Sequence, residues 1–158
     1  MDHDGRRSVN LCLNGSFEAG TRLGEVEVQY TEPQILIADD DEALRATLSE
    51  AFERRGYRTT LAADGREALE LVQSRIVLHL AILDIHMPRL SGLETLEQIR
   101  RMDLPRLPCI LMTAEPNLAI EQRAFDLADS PVLEKPFTLR ALTETVRAIM
   151  QRAYGFNL

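Results

Sequence analysis

The chain has 158 residues, 45% of them hydrophobic, and a net charge of −7 from 25 acidic and 18 basic side chains. That size and apolar content suit one domain with a sizeable core and exclude an intrinsically disordered chain. No apolar run approaches the roughly 18–20 residues that span a bilayer, no signal-peptide core of about 7–15 apolar residues is present, and no basic patch for nucleic acid stands out.

A cytoplasmic location is the default expectation. Cys12 lies in a polar stretch and Cys109 in an apolar run, so both read as free thiols. Residues 1–32 contain Gly5, Gly15, Gly20 and Gly24 with scattered charges and no sustained helical period. They read as an N-terminal extension, disordered or loosely packed, although Val26 to Tyr30 alternates like a short strand. From Pro33 a short apolar run followed by a helical pattern repeats five times, which predicts βαβ units and a parallel sheet.

The first strand is Ile35 to Ala38. The first helix starts at Asp40 or Asp41 and runs to about Arg55, with Leu44, Leu48, Ala51 and Phe52 on one face and Gly56 at the stop position. The second strand is Arg58 to Ala62, and Asp64-Gly65-Arg66-Glu67 has a capping-box pattern opening the second helix. Leu78 to Leu83 is the third strand. Ser91-Gly92-Leu93-Glu94 opens a third helix that turns Leu93, Leu96 and Ile99 inward. A fourth strand, Leu107 to Met112, precedes a helix from about Asn117 to Leu127 with Pro116 in its first turn. Val132 to Glu134 is the fifth strand. The last helix, Thr138 to about Arg152, buries Leu142, Val146 and Ile149, and residues 154–158 form a short tail. Strands one, three and four are continuously apolar, as in a sheet covered on both faces. Right-handed crossovers then give an α/β doubly wound five-stranded parallel sheet, most simply in the order 2-1-3-4-5.

Ligands of such sheets bind beyond the carboxyl ends of the strands, at the switch point between strands 1 and 3. Asp39, Asp40 and Asp84 fall there, while Thr113 and Lys135 end strands 4 and 5. For Asp39-Asp40-Asp41 alone, helix capping and metal binding are equally good readings. Asp84 shifts the balance, because an acid closing an apolar run bears a desolvation cost that a cation would offset. Mg²⁺, which takes oxygen ligands, is the natural choice. Lys135 alone reads as a surface lysine with a snorkelling stem, and Thr113 alone as an ordinary β-branched strand residue. Beside three acids, the same ammonium and hydroxyl suit phosphoryl oxygens.

Residues 33–153, about three-quarters of the chain, resemble the receiver domain of two-component response regulators, the flavodoxin-like fold in its stand-alone, CheY-like form. The motifs are Ile-Leu-Ile-Ala-Asp39-Asp40-Asp41, Leu83-Asp84-Ile85-His86-Met87-Pro88, Ser91-Gly92, Met112-Thr113-Ala114 and Lys135-Pro136-Phe137. The resemblance implies that Asp84 is the phospho-acceptor and becomes an aspartyl phosphate. It implies that Asp39, Asp40, Asp84 and the backbone carbonyl of His86 hold Mg²⁺, that Thr113 and Lys135 contact the phosphoryl group, and that Lys135-Pro136 is a cis peptide. The phosphoryl group would come from a sensor histidine kinase or a histidine phosphotransfer protein. The domain would hydrolyse its own acyl phosphate and otherwise act as a signalling switch rather than an enzyme. Only Tyr154 to Leu158 follow the last helix, so the expectation is a stand-alone receiver with no DNA-binding domain, acting on a downstream protein or in a phosphorelay. Family members often associate through the face of the fourth helix, fifth strand and fifth helix, here residues 116–152, which makes it the candidate homodimer surface.

Two departures stand out. The family's usual aromatic, three residues before the lysine, is replaced by Val132, so output is expected through backbone shifts after Thr113 and around the fourth helix. His86 and Glu115 sit two residues beyond Asp84 and Thr113, where the family's side chains flank the phosphoryl group. The expectation is that they pair and modulate acyl-phosphate lifetime. The competing readings of His86 are a solvated loop residue and a transition-metal ligand. Two other functional classes compete with the switch. One is a phosphorylation-independent pseudo-receiver, an interaction module that Val132 favours. The other is a phosphatase forming an aspartyl phosphate, which in the commonest such fold needs an acid where His86 stands.

Overall fold

A computed structural model describes residues 32–74, 76–102, 107–128 and 130–156. Strands and helices alternate along them: β1 (Gln34–Ala38), α1 (Glu42–Glu53), β2 (Arg58–Ala62), α2 (Gly65–Gln73), β3 (Leu80–Asp84), α3 (Gly92–Arg101), β4 (Cys109–Thr113), α4 (Leu118–Ala128), β5 (Val132–Glu134) and α5 (Leu139–Tyr154). The strands form one parallel sheet in the expected order β2-β1-β3-β4-β5. The chain reverses its direction of travel across the sheet between β1 and β3, leaving a crevice at their carboxyl ends.

Because successive strand side chains face opposite ways, the continuous apolar runs build two cores. Ile35 and Ile37, Leu80 and Ile82, Ile110 and Met112 pack with Leu48 and Phe52 of α1 and Leu142 and Val146 of α5. Leu36 and Ala38, Ala81 and Leu83, Cys109 and Leu111 pack on the other side with Leu69 of α2, Leu96 and Ile99 of α3 and Ala124 of α4. Nearly all of these strand side chains are wholly buried, which makes the central sheet a rigid platform for whatever its ends carry.

Local chemistry adjusts the expected boundaries. β3 begins at Leu80 rather than Leu78; just before it the His79 N–H donates to the Gln34 carbonyl at 2.8 Å, while the Gln34 N–H donates to the imidazole Nδ1 of His79 at 3.0 Å rather than to a carbonyl. Pro116 stands outside α4. Asn117 is the cap there, its side-chain oxygen accepting from the Ile120 N–H at 3.0 Å. Ser91 and Glu94 complete a reciprocal capping box. At α2 the reciprocity is broken: Asp64 caps Arg66 and Glu67, but Glu67 reaches back to the N–H of Ala63, one residue too early. α5 continues to Tyr154 and stops at Gly155, whose φ of 70° is the left-handed stop conformation. The expected extension over 1–32, with Cys12 and the strand-like Val26 to Tyr30, lies outside the described residues apart from Glu32. Among the described residues no helix is long and apolar enough to cross a membrane.

Candidate functional site

The switch-point crevice is acidic because two strand ends, those of β1 and β3, place three carboxylates there. Asp39 follows β1 and is wholly buried. Its Oδ1 accepts from the Asp41 N–H at 2.9 Å, and its carbonyl accepts from Arg45 Nη1 at 2.5 Å. Capping of α1 falls to Asp41, which accepts from the Leu44 N–H at 3.0 Å. The ambiguity between capping and ligation is thereby divided among neighbours, leaving Asp40 exposed and outside the cap. Asp84 is the last residue of β3 and is buried. One carboxylate oxygen from each of Asp39, Asp40 and Asp84 lies within 4.8 Å of the others.

Lys135 closes the group from β5. Its N–H donates to the Thr113 carbonyl at 2.7 Å, and the peptide bond to Pro136 is cis. Lys135 Nζ lies 2.7 Å from Asp39 Oδ2 and 2.9 Å from Asp84 Oδ1. Asp39, Asp84 and Lys135 continue the alternation of Ile37, Ile82 and Leu133, so the pleat itself turns all three to the same side of the sheet. Burial pushes the Asp84 carboxyl above the usual carboxylate range. Lys135 pulls it down, the charge of Asp39 pushes it up again, and the net direction is upward. Burial alone would lower Lys135, but its bonds to Asp39 and Asp84 outweigh that and raise it.

One ammonium facing three carboxylates leaves an excess of negative charge in a partly desolvated crevice. Hard oxygen donors so close together fit a small divalent cation such as Mg²⁺. Thr113 ends β4 wholly buried, its hydroxyl oxygen accepting from the Glu115 N–H at 3.1 Å. His86 and Glu115 face each other above this rim, with Nε2 3.9 Å from Oε2. Val132 lies away from it, half-buried in a groove of about 630 Å³ shared with Phe125 and Ile149.

Sequence reasoning overlooked one pair. Asp64, read only as a helix cap, is buried and forms an ion pair with Arg89 in the loop after β3. Burial pushes its carboxyl up, but the Glu67 N–H, the Arg89 guanidinium and the Arg66 N–H together hold it below the usual range. Nothing in the sequence marks Arg89. Its backbone adopts a positive φ, where glycine or asparagine is the expected residue.

A five-stranded parallel sheet in this order, with acids at its switch point, is a doubly wound signalling-domain architecture. Residues 35–147 match the response regulator receiver domain, and the chain belongs to that family, the receivers of two-component signal transduction. It is similar to response regulator RR06 of Streptococcus pneumoniae, 35% identical over 76% of this chain and 54% of that protein. Response regulator MprA of Mycolicibacterium vanbaalenii is 38% identical over 75% and 51% respectively. The chain therefore spans about half the length of the curated relatives it matches. Among solved structures, the Francisella response regulator 1452 receiver domain superposes with a TM-score of 0.70 at 29% identity, covering 76% of this chain and 98% of that one. TrrA of Thermotoga maritima, solved in complex with Mg(2+)-BeF, gives 0.65 at 32% identity over 74% and 98%.

Proposed function

We propose that this receiver accepts a phosphoryl group on Asp84 from the phosphohistidine of a sensor histidine kinase or a histidine phosphotransfer protein, with Mg²⁺ held by Asp39, Asp40, Asp84 and the His86 carbonyl. The observation that carries the reading is Lys135 Nζ bridging Asp39 and Asp84 at 2.7 and 2.9 Å beside the three-carboxylate cluster. When bound, the cation would neutralise the negative charge that otherwise keeps a carboxylate from approaching a phosphoryl group.

An Asp84 carboxylate oxygen forms the new O–P bond as the donor's P–N bond breaks, the bonding pair returning to the imidazole. Lys135 stands where it can trade part of its Asp84 contact for a phosphoryl oxygen. Thr113 supplies a hydroxyl from the neighbouring strand end. Reversal of the signal is hydrolysis: water attacks phosphorus, the O–P bond breaks, and inorganic phosphate leaves Asp84 as a carboxylate again. His86 and Glu115, 3.9 Å apart at the mouth, are the side chains we assign to modulating that water. Self-association is assigned to the face of α4, β5 and α5, within residues 116–152, where Phe125 and Leu118 are exposed. A cytoplasmic setting goes with such a partnership.

The pseudo-receiver reading is weaker, because a site kept only for packing would have no use for three clustered acids. The test is incubation with acetyl phosphate, with and without Mg²⁺, followed by intact-mass measurement. Wild type should gain one phosphoryl group only with Mg²⁺, and Asp84→Asn should gain none. Equal labelling of both proteins would refute the assignment.

A further inference from the structure

We infer that Asp64 and Arg89 are positioning residues for the cation site, clamping the loop after β3 so that the His86 carbonyl is held toward Asp84. The inference rests on the proposed role of that carbonyl. Arg89 is the one non-glycine residue with positive φ, 65°, among the described residues. In that conformation Cβ crowds the following carbonyl, so a residue other than glycine stays there only when its surroundings hold it.

The holder is Asp64, whose two carboxylate oxygens have separate duties. Oδ1 caps α2 by accepting from the N–H groups of Arg66 at 2.8 Å and Glu67 at 3.0 Å. Oδ2 accepts from Arg89 Nε at 2.8 Å and from the same guanidinium's Nη2. A solvated ion pair would hold little. Here the acid end is buried and is fixed to a helix terminus, so the pair transmits the position of α2 to the loop. The next residue makes a second contact of different chemistry. A Cβ at Gly65 would lie 2.2 Å from the Leu90 carbonyl oxygen and 2.3 Å from Thr95 Oγ1, so α2 abuts the same loop directly.

Between this clamp and Asp84 the loop has few degrees of freedom. The Ile85 N–H donates to the Met112 carbonyl at 2.8 Å, and the Leu90 N–H to the Pro88 carbonyl at 2.7 Å. Ile85 and Met87 are buried in the core below. His86 lies between them, and among the described residues no hydrogen bond reaches its carbonyl. That leaves an acceptor oriented by its neighbours and uncommitted, as a metal-ligating carbonyl must be.

The experiment is Mg²⁺ titration of the unphosphorylated full chain by calorimetry, together with backbone chemical shifts of residue 89 recorded without metal and a urea midpoint for each variant. Asp64→Asn keeps an oxygen for the cap but loses the charge that holds the guanidinium. Arg89→Ala loses the pair and keeps the strain. Both should weaken Mg²⁺ binding about tenfold, the factor to which the strain of one left-handed residue converts, and residue 89 should leave the left-handed region. Arg89→Gly carries no strain and should bind within about twofold of wild type, and adding it to Asp64→Asn should restore affinity. Unchanged affinity in Asp64→Asn and Arg89→Ala, or a double variant no tighter than Asp64→Asn, would overturn the inference, as would losses that only track the unfolded fraction. A wild-type chain that binds no Mg²⁺, or an Asp84→Asn variant that binds it as tightly, would fail the site reading itself and this inference with it.

Discussion

Gly92, the first residue of α3, couples the helix to the site through space that only a hydrogen can occupy. A methyl carbon there would stand 2.4 Å from the Asp84 carbonyl oxygen, 2.9 Å from its carbonyl carbon and 3.1 Å from Ile85 Cα. Ordinary contact starts at 3.4 Å, so the closest pair is short by 1.0 Å. The three nearest atoms are all backbone, so no side chain there can swing aside, and α3 or the end of β3 must move. Such overpacking costs about 1–3 kcal/mol. Moving apart by that amount also breaks the 3.1 Å bond from the Gly92 N–H to the Ile85 carbonyl, worth about 1 kcal/mol. The better helix propensity of alanine returns less than about 1 kcal/mol at a terminal position.

Gly92→Ala should therefore lose about 2–3 kcal/mol, a fall in urea midpoint of roughly 1–2 M for ordinary slopes. Gly56→Ala is the control. Gly56 has φ of 82° but nothing within 4 Å of its would-be Cβ, so its cost is conformational only, about 1 kcal/mol. If Gly92→Ala loses no more than Gly56→Ala, the close approach to Asp84 is not what requires glycine.

Three further outcomes are expected. His79 accepts the Gln34 N–H at Nδ1 and stacks edge-on with Tyr154 and Phe156; burial lowers its pKa, so its neutral form stabilises the fold. That contribution is present above the unfolded value of 6.5 and is lost as pH falls from there toward the folded pKa, so urea midpoints should drop between pH 7 and 5 in wild type but less in His79→Asn, and matching pH profiles would refute this. His86 and Glu115 are half and largely exposed at 3.9 Å, which limits their coupling to about 1 kcal/mol and the change in acyl-phosphate lifetime in His86→Ala or Glu115→Ala to about fivefold; phosphate release at wild-type rates in both would remove them from the site. Because Val132 cannot act as an aromatic switch, phosphorylation should alter amide exchange across residues 113–132, and an unchanged pattern there would place the output elsewhere.

The sheet order was readable because β1, β3 and β4 are continuously apolar and the segments between them keep helical spacing, a pattern with few alternative topologies. The rim was readable for a related reason: a charged residue directly after an apolar strand has a limited choice of surroundings. The boundaries were less so. Strand β3 starts at Leu80, directly after the residue whose side chain captures the Gln34 N–H, and Asn117 rather than Pro116 opens α4 through one side-chain bond. Arg89 was invisible for a deeper reason. Arginine carries no local preference for positive φ, and its conformation depends on Asp64, 25 positions away along the chain.

Stability and function make opposite demands at this rim. A buried carboxylate such as Asp84, pushed upward by burial and by the charge of Asp39, is a residue that folding alone would replace with an amide or an apolar side chain. Lys135 relieves part of the conflict, but a single ammonium between two buried acids cannot balance Asp40 as well. The residual strain is tolerable because the strands bearing it are locked between two cores, so the acids cannot separate without dismantling the sheet. A crevice that is rigid and short of positive charge is the place in this fold where a bound cation would stabilise most.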